Sequence, residues 1–99
     1  MAIAHTENAD RLFRAILTLR DIDECYALFE DLCTLKELGD LAARLEVALL
    51  LSQGLNYQQV GRRAGVSSAT ISRVKRCLDN GSGGYRAALE RMKEAGHVY

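Results

Sequence analysis

The segment of residues 57–78 constrains the fold of this chain more than any other part of its 99 residues. Asn56 can cap a helix whose third residue is Gln59. Gly65 can adopt the left-handed conformation that ends this helix in a tight turn. Ser67 can then cap a second helix. The spacing therefore predicts two short helices joined by a tight turn.

The apolar residues of this segment have the spacing of two helices that pack against each other. In the first helix, Val60 and Ala64 lie four positions apart and face the same side, and we expect Gly61 to let the second helix cross closely. Val66 is predicted to fill the corner between the helices. The second helix has one apolar stripe, formed by Ile71, Val74 and Leu78. A DNA-binding helix-turn-helix fits this pattern, and a plain helical hairpin with a glycine turn is the alternative.

Charge is unevenly distributed along a chain whose formal net charge is zero. Residues 1–51 contain ten acidic and five basic residues, whereas residues 52–78 contain five basic residues and no acidic one. The five are Arg62, Arg63, Arg73, Lys75 and Arg76. A basic block on a neutral protein is typical of a surface that contacts DNA.

The second helix of the pair, residues 67–78, is therefore predicted to be a recognition helix. Short polar side chains at its start allow a close approach to base edges, and Ala69 can contact a thymine methyl group. Arg73 and Arg76 can reach guanine or phosphate. The predicted outward face consists of Ser67, Ser68, Ala69, Ser72, Arg73 and Arg76.

The remaining parts of the chain also predict helices. The sequence contains no proline and is rich in good helix formers. Thr6–Leu19 has an amphipathic pattern, and Tyr85–Ala95 predicts a last helix. Two capping boxes begin further helices, and their residue pairs are Asp21 with Glu24 and Thr34 with Glu37. We predict an all-α fold of about six helices in a single domain, residues 1–99.

Two of the predicted helices contain apolar residues that we expect to be buried. We expect the helix after Asp21 to bury Cys25, Leu28, Phe29 and Leu32. Val47–Leu51 is apolar nearly all round, which indicates burial on both sides, either against a partner subunit or at the centre of a single bundle. A chain of this size buries only roughly 60–65% of its unfolded surface, and association of subunits is a common remedy. A dimer is predicted on that ground.

Several classes of protein are not supported by the sequence. No run approaches the roughly 20 apolar residues that cross a bilayer, and the polar N-terminal residues do not resemble a signal peptide, so we expect a cytoplasmic protein without a membrane partner. The three cysteines lack metal-ligand spacing and are predicted to be packing thiols. His5 and His97 lie near opposite ends, so no metal site is predicted. No catalytic constellation appears at usable spacing, so an enzyme is not predicted.

Four strings of residues resemble the Trp repressor superfamily, and more closely its YerC/YecD-type branch of small bacterial proteins. The strings are Leu32–Leu38, Leu41–Ala48, Ala69–Val74 and Gly84–Tyr85. The resemblance runs from about Leu32 to Met92, and Ala-Thr-Ile-Ser-Arg is its most specific run. It implies an intertwined all-α homodimer whose two recognition helices enter successive major grooves of a near-palindromic operator.

The resemblance also implies roles for individual residues. The DNA-contacting positions of the family fall on Gln58, Ser68, Ala69, Thr70 and Ser72. The tryptophan-binding positions fall near Thr34, Arg44 and Arg73. Val74, however, stands where the repressor has a glycine that leaves room for the indole ring, with Cys77 one turn further on. We therefore predict no cofactor, and L-tryptophan or another small-molecule corepressor is the alternative.

Together, these observations predict a transcriptional regulator that binds double-stranded DNA in a sequence-specific manner as a homodimer. The alternative is a helical protein-interaction module without specific DNA binding. Indifference of the function to Arg73 and Arg76 would favour that alternative.

Overall fold

The structure is a computed structural model that describes residues 2–97. These residues form helices and no strand. The six helices are α1 (Glu7–Ile16), α2 (Ile22–Leu32), α3 (Leu35–Ser52), α4 (Tyr57–Ala64), α5 (Ser68–Asn80) and α6 (Gly84–Glu94). The predicted all-α fold of about six helices is confirmed.

The chain divides into two compact units between Gly39 and Asp40, within α3. The first unit contains α1, α2 and the first residues of α3. The second contains the rest of α3 together with α4, α5 and α6. A single domain over residues 1–99 stays a prediction.

In the first unit, α1 ends earlier than its sequence pattern predicts. The helix ends at Ile16 rather than at Leu19. Beyond that end, the Thr18 hydroxyl donates to the Ala15 carbonyl oxygen at 2.6 Å. This local bond supplies a partner for a carbonyl of the last turn and competes with continuation of the helix.

The two predicted capping boxes begin α2 and α3. Asp21 Oδ1 accepts from the Glu24 amide at 2.8 Å, but the Glu24 carboxylate accepts from the Arg20 amide, one residue earlier than a regular box. The second box is regular, since the Glu37 amide donates to Thr34 Oγ1 at 3.1 Å and the Thr34 amide donates to Glu37 Oε1 at 2.9 Å. These bonds from Thr34 hold the pKa of Glu37 below its ordinary value.

The predicted burial of the apolar residues of α2 is wrong for this chain alone. Neither α1 nor α2 contains a buried residue. Leu28 and Phe29 are half-buried, whereas Cys25 and Leu32 are exposed. The physical reason is that two short helices are too small to enclose an apolar face between them.

The second unit contains a hydrophobic core. Its buried members are Val47, Ala48, Leu49, Leu50, Val60, Ile71, Val74, Leu78 and Leu89. Four consecutive residues of α3 belong to this set, as a helix that is apolar all round requires. They are buried in the single chain, which favours the central-helix interpretation of Val47–Leu51 over one that needs a partner subunit. Helices α4 and α6 both pack against α5.

The last helix agrees with its sequence pattern, whereas two of the cysteines do not. Helix α6 agrees with its prediction to within one residue at each end, and Leu89 is buried while Met92 is half-buried. The packing-thiol prediction is wrong for Cys25 and Cys77, because both side chains are exposed. Among residues 2–97, no helix is long and apolar enough to cross a membrane.

Candidate nucleic-acid interface

The predicted helix-turn-helix is built by local hydrogen bonds. Asn56 Oδ1 accepts from the Gln59 amide at 2.9 Å, and Gln59 Oε1 accepts from the Asn56 amide at 3.0 Å. Gly65 then ends α4 with a φ of 66° and a ψ of 36°, in the left-handed region where a side chain is strained. Ser67 Oγ accepts from the Thr70 amide at 3.3 Å at the start of α5. The sequence predicted each of these caps, and all are confirmed.

The role predicted for Gly61 is wrong. A Cβ atom at this position would lie 3.6 Å from Ile71 Cδ1 and 3.6 Å from the Val66 carbonyl oxygen. Both distances are ordinary van der Waals contacts, so α4 and α5 do not cross closely enough to require a glycine.

Helix α5 is the element that carries the predicted recognition surface. It runs from Ser68 to Asn80, two residues beyond the predicted end, because no helix-breaking residue occurs before Gly81. Lys75 Nζ lies 3.2 Å from Asp79 Oδ1, one turn apart on the solvent side. The predicted apolar stripe is buried, and it consists of Ile71, Val74 and Leu78. This burial fixes which face of α5 is turned to solvent.

The predicted DNA-contacting residues lie on α4, on α5 and in the turn between them. All but one are exposed, namely Gln58, Ser67, Ser68, Ala69, Ser72, Arg73 and Arg76. The exception is Thr70, which is half-buried. Its Oγ1 lies 3.2 Å from Ser67 Oγ, so the Thr70 hydroxyl is part of the helix cap.

An open groove connects the starts of the two helices. Its volume is about 360 Å³, and Gln58 and Ser68 both line it. Tyr57 and Arg62 also line the groove, although sequence analysis did not select either of them as a site residue. The signal for Arg62 was its position four residues after Gln58, which places both on one face of α4. The groove thus adds an aromatic ring and a cation to the predicted surface.

The charges of this surface are available to an anionic partner. All five basic residues of the acid-free block are exposed. Within residues 2–97, Lys75 is paired with Asp79, whereas Arg73 and Arg76 make no ion pair. Unpaired guanidinium groups on an exposed helix face are suited to bidentate bonds with phosphate or guanine.

Two residues of the predicted ligand pocket lie around one tyrosine. Burial raises the pKa of Tyr85, and Cys77 raises it further, whereas the positive charges of Arg44 and Arg73 act in the opposite direction. Arg44 on α3 and Arg73 on α5 therefore both lie close enough to the phenol to influence its ionisation. The pKa of the half-buried Tyr85 phenol is therefore influenced by charges from both α3 and α5.

The third residue of the predicted pocket, Thr34, and Val74, which was predicted to fill the pocket, both have structural roles. Val74 is 2% exposed and belongs to the core. Thr34 lies in the first compact unit and caps α3 together with Glu37.

These elements define a class, the all-α proteins that present the second helix of a helix-turn-helix to solvent. The family model described as Trp repressor protein matches residues 7–93, and the chain belongs to this family. The family is one of helix-turn-helix DNA-binding regulators, typically dimeric, and is not a class of enzymes.

Relatives from three bacteria agree with this assignment. The chain is 53% identical over 85 residues to uncharacterized protein YerC of Bacillus subtilis (strain 168), covering 86% of this chain and 82% of that protein. A crystal structure of a TrpR-like protein from Eubacterium eligens ATCC 27750 matches with a TM-score of 0.86 and 44% identity, over 89% of this chain and 91% of the other. A structure from Staphylococcus aureus matches with a TM-score of 0.87 and 46% identity, over 90% and 89% of the two chains.

Proposed function

We propose that this protein is a transcriptional regulator that binds a near-palindromic DNA operator as a homodimer, with α5 as its recognition helix. The observation that carries the proposal is the exposed face of α5, where short side chains stand beside unpaired arginines in a block without acidic residues. Small residues at a helix start permit close contact with base edges, and the arginines supply attraction to the DNA backbone. We expect the protein to act in the cytoplasm, where bacterial DNA is found.

The exposed residues of α4 and α5 fall into two groups, one that would contact base edges and one that would contact the DNA backbone. We assign base contacts to three exposed residues in the first two turns of α5, namely Ser68, Ala69 and Ser72. Gln58 and Arg62 line the groove beside the start of α5, where α4 would cross the DNA backbone. Arg73 and Arg76 are assigned to phosphate or guanine.

The homodimer is supported by the apolar surface of the first compact unit. Leu17, Ile22 and Leu35 are 83%, 71% and 89% exposed, and Phe13 and Tyr26 are exposed by more than half. Large apolar side chains that are this exposed within one small unit favour an interaction site, because a contiguous apolar patch is unusual on a monomer. A second copy of the chain is the partner that would also place two recognition helices in successive major grooves.

Selection of bound duplexes from a random DNA pool tests the proposal. The selection is made with the wild-type protein and with Arg73→Ala, each at two salt concentrations. We expect the wild type to enrich a two-fold-symmetric sequence with half-sites about one helical turn apart, with affinity that falls steeply with salt. Arg73→Ala should lose this enrichment.

Arg91→Ala is the matched control, because Arg91 is exposed on α6 and its loss changes the net charge equally. It should enrich the same sequence as the wild type. If the wild type enriches nothing, the regulator proposal fails and a helical protein-interaction module becomes the better interpretation. If Arg73→Ala enriches the wild-type sequence equally well, Arg73 is not part of the recognition surface.

We further propose that binding does not require L-tryptophan. The buried Val74 side chain fills the position where a glycine would leave room for an indole ring. Titration of the selected duplex with and without L-tryptophan should give the same affinity. A tryptophan-dependent gain in affinity would show that a corepressor site forms despite Val74.

A further inference from the structure

The C-terminal end of the recognition helix is bonded to α6 by one side chain. The last four carbonyl groups of a helix have no partner within it, and that of Leu78 is one of these in α5. Arg86 Nε, on α6, donates to this carbonyl oxygen at 2.6 Å in a partly buried bond. The same guanidinium lies 3.8 Å from Asp79 Oδ1 through its Nη2. Arg86 thus contacts both the backbone and a side chain of the last turn of α5.

The loop between these helices is tight enough to make this bond possible. A Cβ atom at Gly81 would lie 3.0 Å from Cys77 Cα and 3.1 Å from its carbonyl carbon, and closer still to the carbonyl oxygen. Gly83 has a φ of 89°, which permits the reversal before α6 begins. The chain therefore folds back directly onto the end of α5.

Arg86 is the sole side chain in residues 2–97 whose hydrogen bonds or ion pairs join α6 to α5. Apolar packing also holds the two helices, because Leu78 and Leu89 both belong to the core. Apolar contacts are not directional, whereas a guanidinium that donates to a carbonyl oxygen at 2.6 Å and lies 3.8 Å from a carboxylate oxygen favours one arrangement. The orientation of the end of α5 therefore depends on the contacts of Arg86 as well as on apolar packing against α6.

We propose that Arg86 is a positioning residue for DNA recognition, which holds the end of α5 in its binding orientation without contacting DNA. The proposal rests on the proposed function. If the bond is lost, a smaller fraction of the molecules has α5 in the orientation that binds DNA. The apparent affinity falls in proportion to this fraction.

The test compares Arg86→Ala and Arg86→Lys with the wild type and with Arg91→Ala. The dissociation constant for the selected duplex is measured over a range of salt concentrations. In the free proteins, hydrogen exchange is measured at the amides of residues 78–81. Lysine keeps the positive charge but lacks the Nε donor and the planar fork, so it separates a charge effect from the loss of this bond.

We expect both Arg86 variants to raise the dissociation constant roughly threefold to tenfold, as the net contribution of one typical hydrogen bond implies. The slope of log affinity against log salt should stay at the wild-type value, because no phosphate contact is lost. Amide exchange at residues 78–81 should be faster in both variants, while Arg91→Ala should resemble the wild type.

Two results would overturn the proposal. If the salt slope falls by about one in Arg86→Ala and Arg86→Lys restores it, Arg86 contacts a phosphate directly. If affinity and amide exchange are both unchanged, the bond has no positioning role. A wild-type protein that binds no duplex contradicts the proposed function instead, and amide exchange in the free protein then still tests the bond between α6 and α5.

Discussion

At the scale of single residues, Gly81 shows a constraint that its backbone angles do not reveal. Its φ of −84° is accessible to any residue, yet a Cβ atom there would collide with the backbone of Cys77. Backbone atoms of a helix end cannot move aside as the end of a flexible side chain can. A side chain at this position must therefore open the turn after α5.

We predict that Gly81→Ala lowers the free energy of unfolding by about 1–3 kcal/mol, the usual cost of forcing extra atoms into a packed site. Gly84→Ala is the matched control, since a Cβ there meets only Ser82 Oγ at 3.9 Å. It should not destabilise the protein. Urea unfolding of the two variants measures the difference, and equal stabilities would contradict the steric argument.

Gly61→Ala should have the opposite effect. The contacts that a Cβ atom would make there, at 3.6 Å, are unstrained, and glycine within a helix costs up to about 1 kcal/mol relative to alanine. We therefore expect Gly61→Ala to raise the free energy of unfolding by up to about 1 kcal/mol. Thermal unfolding followed by circular dichroism checks this. A lowered melting temperature would restore the close-crossing interpretation of Gly61.

Among the helices, α4 has neighbouring residues at its start that differ in role, because some stabilise the helix and another is predicted to contact DNA. Asn56 and Gln59 bond each other's backbone amides, whereas the neighbouring Gln58 is exposed on the predicted DNA surface. Asn56→Ala should lower the free energy of unfolding by about 1 kcal/mol, the usual effect of removing an N-cap.

Gln58→Ala provides the comparison within the same helix. It should leave the unfolding free energy nearly unchanged while weakening binding of the selected duplex. Urea unfolding and a DNA titration of both variants measure the two effects separately. If Gln58→Ala binds DNA as the wild type does, Gln58 lies outside the recognition surface.

Helix boundaries were predicted well where a side chain caps the helix and less well elsewhere. The starts of α4 and α5 agree with the sequence because Asn56 and Ser67 act on amides within three residues. The apolar stripe predicts that α5 ends at Leu78, whereas the helix continues to Asn80. Apolar periodicity reports which residues pack, not where the backbone hydrogen bonds end.

At the scale of the whole molecule, the exposed apolar surface of the first unit is the feature that predicts assembly. Ile22 is the first residue of α2 and is 71% exposed. A glutamate there is compatible with the helix, because acidic residues are favourable in a first turn. Ile22→Glu should therefore leave the fold of the chain intact while placing a charge on the apolar surface.

We predict that Ile22→Glu is monomeric in solution, whereas Ile22→Leu, which keeps the apolar character, stays dimeric. Light scattering gives the molar mass of each variant. The glutamate variant should also bind the symmetric operator more weakly, since a single recognition helix reads only one half-site. A glutamate variant that is still dimeric would place Ile22 outside the subunit interface.

Local sequence patterns are sufficient to predict the helical class, the helix-turn-helix, its caps and the acid-free basic block. Each of these depends on side chains and backbone groups a few residues apart, or on charge alone. Packing of the helices determines which apolar residues are covered, brings Tyr57 and Arg62 into one groove with Gln58, and lets Arg86 bond α5 across a loop. Each of these features joins residues of different helices. Local propensity does not predict the distances between such residues, because the packing of whole helices sets them.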